Sequence, residues 1–382
     1  MKRALIVTYN KFPDGDAGAV RQLVFAKMIN TLGYSVDVIG MGNSANGQTI
    51  SDIMYTSFRN EKIGIISKFD NYFGFNRKLK KYLNNHQKYD LLFVVDLPWA
   101  AMKRLEKYSV RAGSTLVHDS VEWYSKEEFR LGVFSPEYLR KDIKNKYLFN
   151  HNWKIVAISS YLNDYFLKKG NKSIRIPVVL DAEEFSFNKH KSTEKTVILY
   201  AGAPGGKDCF DQILIALENL EQDKKDRLEF RIIGVTSEWL RKSMKISEER
   251  WKRLSSCVNC LGRKPREVVL ENLNSADFTI LIRRPELRYA KAGFSTKVPE
   301  SLSTGTPVIC NISSDLGMYL LDGENAIIAE NNSDEAIASA INKALSYDCE
   351  KMHYMQKIAF KTAIDSFDYR KYLEDLKNLI DS

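Results

Sequence analysis

Short apolar runs alternate along the chain with longer stretches in which apolar residues recur every three or four positions. Ala4–Tyr9 is a compact apolar run of the kind that fills a buried parallel strand. A polar loop with Asp14, Gly15, Asp16 and Gly18 follows. Val20, Leu23, Val24, Ala26, Lys27, Met28 and Leu32 then have helical spacing, and Gly33 closes the helix. Ser35–Gly40 is the next strand, and Leu91–Val95, Thr115–His118 and Lys154–Ile158 repeat the theme with helical stretches between them. This alternation predicts a parallel sheet clothed by helices.

The pattern restarts after the polar stretch Asn188–Lys195, which reads as a linker. Thr196–Gly202 is a strand running into a Gly-rich loop. Further strands are expected at Glu229–Ile233, Cys257–Leu261, Phe278–Ile282, Pro307–Cys310 and Ala326–Ala329. Helices are expected at Asp208–Leu220, Pro265–Ser275, Lys297–Thr304 and Glu335–Leu345, and Tyr369–Ile380 forms an amphipathic tail helix. The fold class is therefore α/β with two similar halves. Open sheets bind ligands beyond the carboxyl ends of their strands, so two such halves facing each other make a composite cleft.

Length agrees with this count, since 382 residues suit two or three domains. Charge sharpens the picture. The net charge of +9 is unevenly shared, with about +12 on residues 1–180 and −3 on residues 181–382. A one-sided basic field points to an anionic partner: nucleic acid, an acidic membrane surface or a phosphorylated substrate. No run of 18 apolar residues exists, and the apolar stretch after Met1-Lys2-Arg3 is too short for a signal peptide. Five cysteines, an odd number, fit a reducing compartment, so a cytoplasmic location is expected.

Several chemistries find no motif. There is no G-x-x-x-x-G-K-[ST] loop, no H-E-x-x-H and no G-x-G-x-x-G. Cys257 and Cys260 form a single C-x-x-C, which reads as a structural strand with small buried residues. The sharper signals lie in the second half. In Tyr200-Ala201-Gly202-Ala203-Pro204-Gly205-Gly206-Lys207-Asp208, glycines allow backbone amides to approach an anion, and Lys207 supplies a point charge for a diphosphate. In Gly293-Phe294-Ser295-Thr296-Lys297, a turn enters a helix that carries Glu300 one turn inside, within reach of a ribose diol, and Gly305 ends it.

These blocks, in this order, resemble the family 4 glycosyltransferases of the GT-B fold. Asp14–Leu32 resembles the Gly-rich loop and first helix of the acceptor domain, with Gly15 and Gly18 in the loop. Ala157–Leu162 followed by Ile176–Asp181 and Phe185 resembles the end of that domain. Gly202–Lys207 and Gly293–Ile309 resemble the donor domain. The likeness covers nearly the whole chain. It implies two Rossmann-like domains facing across a cleft: an acceptor domain at 1–187, a nucleotide-sugar domain at 188–366, and a helix at 367–382 crossing back to the first.

The resemblance implies transfer of a sugar, with retention, from a UDP- or GDP-type nucleotide sugar to a glycan or lipid-linked acceptor, in bacterial surface polysaccharide assembly. His118 and Lys207 would be catalytic. Gly202, Lys207, Arg263, Lys264, Gly293, Phe294, Ser295, Thr296, Lys297 and Glu300 would hold the donor. No cofactor or metal is expected, nor a nucleic-acid partner. Two departures stand out. Ala292 occupies the place of the first of two family glutamates, and Ala203 that of an arginine after Gly202; Arg283, Arg284, Arg288 or Lys297 would have to supply the missing charge. A non-catalytic nucleotide-sugar scaffold and an epimerase of the same fold are the alternatives. Lys68–Leu83 and Tyr138–Phe149, rich in aromatics and cations, are the candidate contacts with an anionic membrane.

Overall fold

The computed structural model describes residues 1–12, 17–42, 48–50, 53–59, 65–187, 189 and 194–382, without side chains at 17, 48–50 and 65–73. Gly15 and the rest of that loop up to residue 16 lie outside the described residues. The chain divides into two compact units: unit 1 is Met1–Leu180 together with Tyr369–Ser382, and unit 2 is Asp181–Asp368.

Unit 1 holds strands β1 (Lys2–Val7), β2 (Tyr34–Gly40), β3 (Gln48–Ile50), β4 (Ile53–Ser57), β5 (Leu91–Val95), β6 (Thr115–Ser120), β7 (Lys154–Ala157) and β8 (Ser173–Arg175). Their order in the sheet is β3-β4-β2-β1-β5-β6-β7-β8. Every pair is parallel except β3 with β4. The apolar runs went where their composition sends them: Leu91–Val95 is buried at every residue, as a strand covered on both faces must be. Helices α1 (Ala17–Thr31), α2 (Ile65–Asn85), α3 (Trp99–Ala112), α4 (Pro136–Ile143) and α5 (Ser160–Lys168) connect them. Gly113, in the left-handed region with φ 63°, ends α3 by donating its N–H to the Ser109 carbonyl.

Unit 2 holds β9 (Thr196–Ala201), β10 (Leu228–Ile233), β11 (Val258–Cys260), β12 (Phe278–Leu281), β13 (Val308–Cys310) and β14 (Ala326–Ile328), in the order β11-β10-β9-β12-β13-β14 and parallel throughout. Its helices are α6 (Phe210–Glu218), α7 (Gln222–Asp226), α8 (Ser237–Ser243), α9 (Glu248–Leu254), α10 (Arg266–Ser275), α11 (Arg288–Ala292), α12 (Lys297–Ser303), α13 (Asp334–Ser346) and α14 (Cys349–Phe367). The last helix, α15 (Leu373–Asp381), belongs to unit 1. Its Leu376, Leu379 and Ile380 join Tyr369 in the core around Ala4, Ile6, Phe25, Val36 and Phe93. The Lys154 ammonium donates to the Ile380 carbonyl at 2.8 Å and fastens its end.

Three features differ from the sequence reading. The β3–β4 hairpin makes the first sheet mixed at one edge, and β8 extends the other edge. Both are too short to show a period. The 19-residue α14 was also not foreseen, because its buried stripe is narrow: only Met355 and Phe367 are large apolar residues, with Gln356, Ala359 and Ala363 between them.

The third concerns the polar stretch at 188–195. The units divide at Leu180/Asp181, and Lys189 is anchored in unit 2. Its ammonium donates to the carbonyls of Leu273, Asn274 and Ala276 and to the Thr306 hydroxyl, at 2.6 to 3.1 Å. Burial pulls its pKa down to about 7, against a smaller upward pull from Asp277. The unfolded chain, with an ordinary lysine, therefore binds more protons than the folded one between about pH 7 and 10. Unit 2 should gain stability as pH rises through that window. Urea unfolding of wild type and Lys189→Met between pH 7 and 10 checks this. The gain should shrink in the variant, and equal slopes in the two proteins would refute it.

Candidate functional site

The glycines at the strand ends of unit 2 interlock. Gly202 follows β9 with φ +139°, Gly234 follows β10 with φ +131°, and Gly262 follows β11 with φ +70°. Gly202 N–H donates to the Ile233 carbonyl at 2.7 Å, and Gly234 N–H to the Gly262 carbonyl at 2.9 Å. A Cβ on Gly234 would stand 2.5 Å from the Gly202 carbonyl carbon and oxygen. Three loops thus meet at the carboxyl edge of the sheet with no room for a side chain between the first two. Gly205 and Gly206 face open space instead, with nothing within 4 Å of an added Cβ. The loop is clamped at its root and unobstructed at its tip, the shape that lets a ligand approach backbone.

Beside this root, Asp208 gathers charge. Its carboxylate accepts from Lys297 Nζ at 2.7 Å and from the Tyr200 hydroxyl at 2.7 Å, and Arg283 Nε lies 3.4 Å away. Burial pushes the Asp208 carboxyl up, but Lys297 and Arg283 outweigh it and hold the pKa below the ordinary value. Lys297 also lies over the Tyr200 ring, 4.7 Å from its centroid, and its Cε would be 3.2 Å from a Cβ on Gly202. Of the four cations considered for the charge missing at Ala203, Lys297 and Arg283 both reach Asp208, and Lys297 also lies against Gly202. Asp208 and Tyr200 were missed as organisers. The signal available was the Lys207-Asp208 pair closing a glycine loop, since a carboxylate in an anion site needs a structural reason.

Lys207 is half-buried, and its carbonyl accepts from the Tyr289 hydroxyl at 2.6 Å, which ties the loop to α11. Ala292 is wholly buried, and Gly293 after it is extended. Phe294 turns inward, packing against Tyr319 and Phe367. Ser295 is buried, while Thr296 and Lys297 are half-buried at the start of α12. Glu300 accepts from Arg266 Nη1 at 3.0 Å. That bond joins α12 to the segment carrying Arg263 and Lys264, both exposed. Cys257 precedes β11 and Cys260 ends it, their thiols pushed up to about 11 by burial. Among the described residues, no three His, Cys, Asp or Glu side chains are grouped to hold a metal ion.

In unit 1, Gly18 sits on the first turn of α1. His118, in register with Val94 on β5, is 1% exposed and stacks on Phe149 at 4.1 Å between ring centroids. Its Nδ1 lies 3.0 Å from the Val94 carbonyl, and its Nε2 is buried without a hydrogen-bond partner. Burial, then the neighbouring Lys141, lowers its pKa to about 3, so the ring is neutral. The Nδ1 contact then fixes the proton there and leaves Nε2 as an acceptor. Next to it, Asp119 grips the guanidinium of Arg21 in a buried pair. Lys80, Lys103, Arg104, Lys107 and Arg111, between α2 and α3, line a cavity of about 570 Å³. In the candidate membrane stretch, Phe75, Leu79 and Leu83 are core residues and Lys80 is exposed; its side chains from 68 to 73 lie outside the described residues.

Residues 181–362, nearly all of unit 2, match the family model described as Glycosyl transferases group 1. No match was found among curated proteins. Among solved structures, the chain is similar over its whole length to sucrose-phosphate synthase from Thermosynechococcus elongatus, with a TM-score of 0.75 at 14% identity, covering 99% of this chain and 98% of that one. It is similar to WaaG, a glycosyltransferase involved in lipopolysaccharide biosynthesis, with a TM-score of 0.69 at 15% identity and 99% of each chain covered. The HepE protein of Anabaena, solved with UDP and glucose, gives 0.68 at 14% identity, again with 99% of each chain covered. The chain thus has two α/β units with GT-B glycosyltransferase neighbours along its length, and with the Glycosyl transferases group 1 domain at 181–362 these support a glycosyltransferase.

Proposed function

We propose that the protein is a family 4 glycosyltransferase that moves a sugar, with retention, from a UDP- or GDP-type nucleotide sugar to a glycan or lipid-linked acceptor in surface polysaccharide assembly. The observation that carries the donor half of this reading is the Gly202–Asp208 loop: its root admits no side chain, its tip is open, and Lys297 is locked against it. The HepE neighbour solved with UDP-glucose supports the donor class. Lys207 and Lys297 neutralise the diphosphate as the glycosidic bond breaks, charge held in place before the reaction begins. Cations in this role make a divalent metal unnecessary, so transfer should persist in EDTA. Glu300, paired with Arg266 in the free protein, accepts from the ribose diol. The acceptor proton goes to a diphosphate oxygen in a same-face attack, and His118 Nε2 accepts from a hydroxyl of the transferred sugar.

The test is thermal unfolding with UDP, GDP, ADP, TDP and CMP. A ligand at 100 times its Kd adds about 2.7 kcal/mol. For a unit of this size that is a rise of roughly 5–10 °C. One nucleotide should stabilise wild type and fail on Lys207→Ala. Equal shifts in both proteins would defeat the assignment of Lys207, and none in either would favour a scaffold that has lost the chemistry.

The basic cavity between α2 and α3 supports a peripheral contact with an anionic membrane. None of the described helices is long and apolar enough to cross one. Sedimentation with vesicles should show binding to phosphatidylglycerol, no binding to phosphatidylcholine, and loss with Lys107→Glu/Arg111→Glu. Indifference to lipid charge would rule the contact out.

A further inference from the structure

A second concentration of positive charge lies at the carboxyl end of the first sheet. Asp96 directly follows β5, one position beyond the Val95–Asp119 register pair. Three cations converge on it from α4 and the turn after it. Lys144 donates to Asp96 and, at 3.1 Å, to the Leu97 carbonyl. Lys141 Nζ stands 3.7 Å from the same carboxylate and Arg140 Nη2 3.8 Å. The lysine side chains are 4% and 2% exposed, for Lys141 and Lys144, while Asp96 and Arg140 reach solvent at 26% and 33%.

The accounting does not close. Among the described residues, these three cations pair with no carboxylate but Asp96, so two positive charges are left over. Nearby acids are engaged elsewhere. Asp142 takes the Trp123 indole and Lys146, Asp119 takes Arg21, and Glu122 takes the Tyr124 hydroxyl. Hydrogen bonds show the same deficit. At 3.7 and 3.8 Å, Lys141 and Arg140 are too far from Asp96 to donate to it, and neither donates to any other described group. A lysine nine-tenths buried with no acceptor is costly unless a ligand supplies one. The neutral His118 beside Lys141 adds no negative charge.

We propose that Asp96, Arg140, Lys141 and Lys144 form a phosphoryl-binding subsite for the acceptor. A dianionic phosphoryl group matches the excess of two charges and offers the oxygens that Arg140 and Lys141 lack, whereas a single carboxylate would leave one charge over. The position, beyond the carboxyl ends of β5 and β6, is where an open α/β sheet receives its ligand. The word acceptor rests on the glycosyltransferase reading above; the subsite itself rests on the cluster. Asp96 keeps the cations in place when the site is empty.

The test is hydrogen exchange on the full chain with two phosphoryl probes, glycerol phosphate as a soluble monophosphate and farnesyl diphosphate as a lipid-borne one. Glycerol and farnesol are the neutral controls. Protection is expected at 96–98 and 136–149 with at least one probe and with neither control. Which probe acts distinguishes a soluble ester from a lipid carrier. In Arg140→Gln, whose side chain is partly exposed, the probe concentration needed for half-protection should rise about tenfold, and Lys141→Gln should abolish protection. If Lys141→Gln fails to fold by circular dichroism, the Arg140 variant and wild type decide. Protection by a probe only along α2 and α3, only in unit 2, or nowhere would overturn the proposal. UDP is run in parallel: missing protection at 202–210 and 293–300 would count against the donor reading and leave the subsite standing.

Discussion

Asp119→Asn should destabilise unit 1 by about 3–5 kcal/mol, the range for leaving one member of a buried ion pair uncompensated. Asp119 is fully buried and Arg21 is 4% exposed. The guanidinium donates to both carboxylate oxygens, with Nη2 at 2.8 Å from Oδ1 and Nε at 2.9 Å from Oδ2. It also donates to the carbonyls of Ile176 and Pro177. One side chain therefore fastens α1 to β6 and to the segment after β8. An amide keeps the shape but not the charge, and a bare guanidinium remains inside. The double variant Arg21→Met/Asp119→Leu should recover much of the loss, because the desolvation penalty disappears with the charges. Urea unfolding of the three proteins checks both statements. A loss under 1 kcal/mol in Asp119→Asn would show that the pair is weakly coupled to the fold.

Gly234→Ala is expected to disable unit 2 by a different route. The new methyl group would sit 2.5 Å from the Gly202 backbone, and φ at +131° is already a conformation that L side chains rarely adopt. Strain and overpacking each cost about 1–3 kcal/mol, so the loops must separate or the unit must lose roughly 2–6 kcal/mol. Separation moves Gly202 away from Lys297, and lost stability leaves less of unit 2 folded, so nucleotide-induced stabilisation should be weakened or lost. Gly206→Ala is the control, since its Cβ meets nothing within 4 Å. Its stability should change by less than about 0.5 kcal/mol. Normal stability and nucleotide binding in Gly234→Ala would mean that the close approach of the two loops is dispensable.

The sequence revealed those parts of the fold that rest on long, uniform patterns. Leu91–Val95 and Thr196–Ala201 could be read because a strand buried on both faces is a run of apolar residues. Short pieces such as Gln48–Ile50 and Ser173–Arg175 offered three residues and no period. Local motifs and family likeness pointed to Gly202, Lys207, Lys297 and Glu300 as the candidate site, and the structure seats Lys297 against Gly202. Its electrostatics were not. Asp208 meets Lys297 across 89 residues and Asp96 meets Lys144 across 48, and nothing near either carboxylate in sequence announces the partner. Phe294 shows the converse limit: family likeness made it a candidate for holding a donor, while its ring belongs to the core with Tyr319 and Phe367.

The split make-up of unit 1 has a consequence for how the protein is made. Its core needs Tyr369, Leu376, Leu379 and Ile380, which are translated after the whole of unit 2. At about 5–20 residues per second, a ribosome spends roughly 10–40 s on Asp181–Asp368 while the nascent first sheet waits with the seat of α15 uncovered. Unit 2, continuous in sequence, can finish folding first, so the half made later matures earlier. A released chain that ends just before Tyr369 would have a folded unit 2 tethered to an open apolar surface on unit 1, the kind of surface that chaperones hold and proteases find.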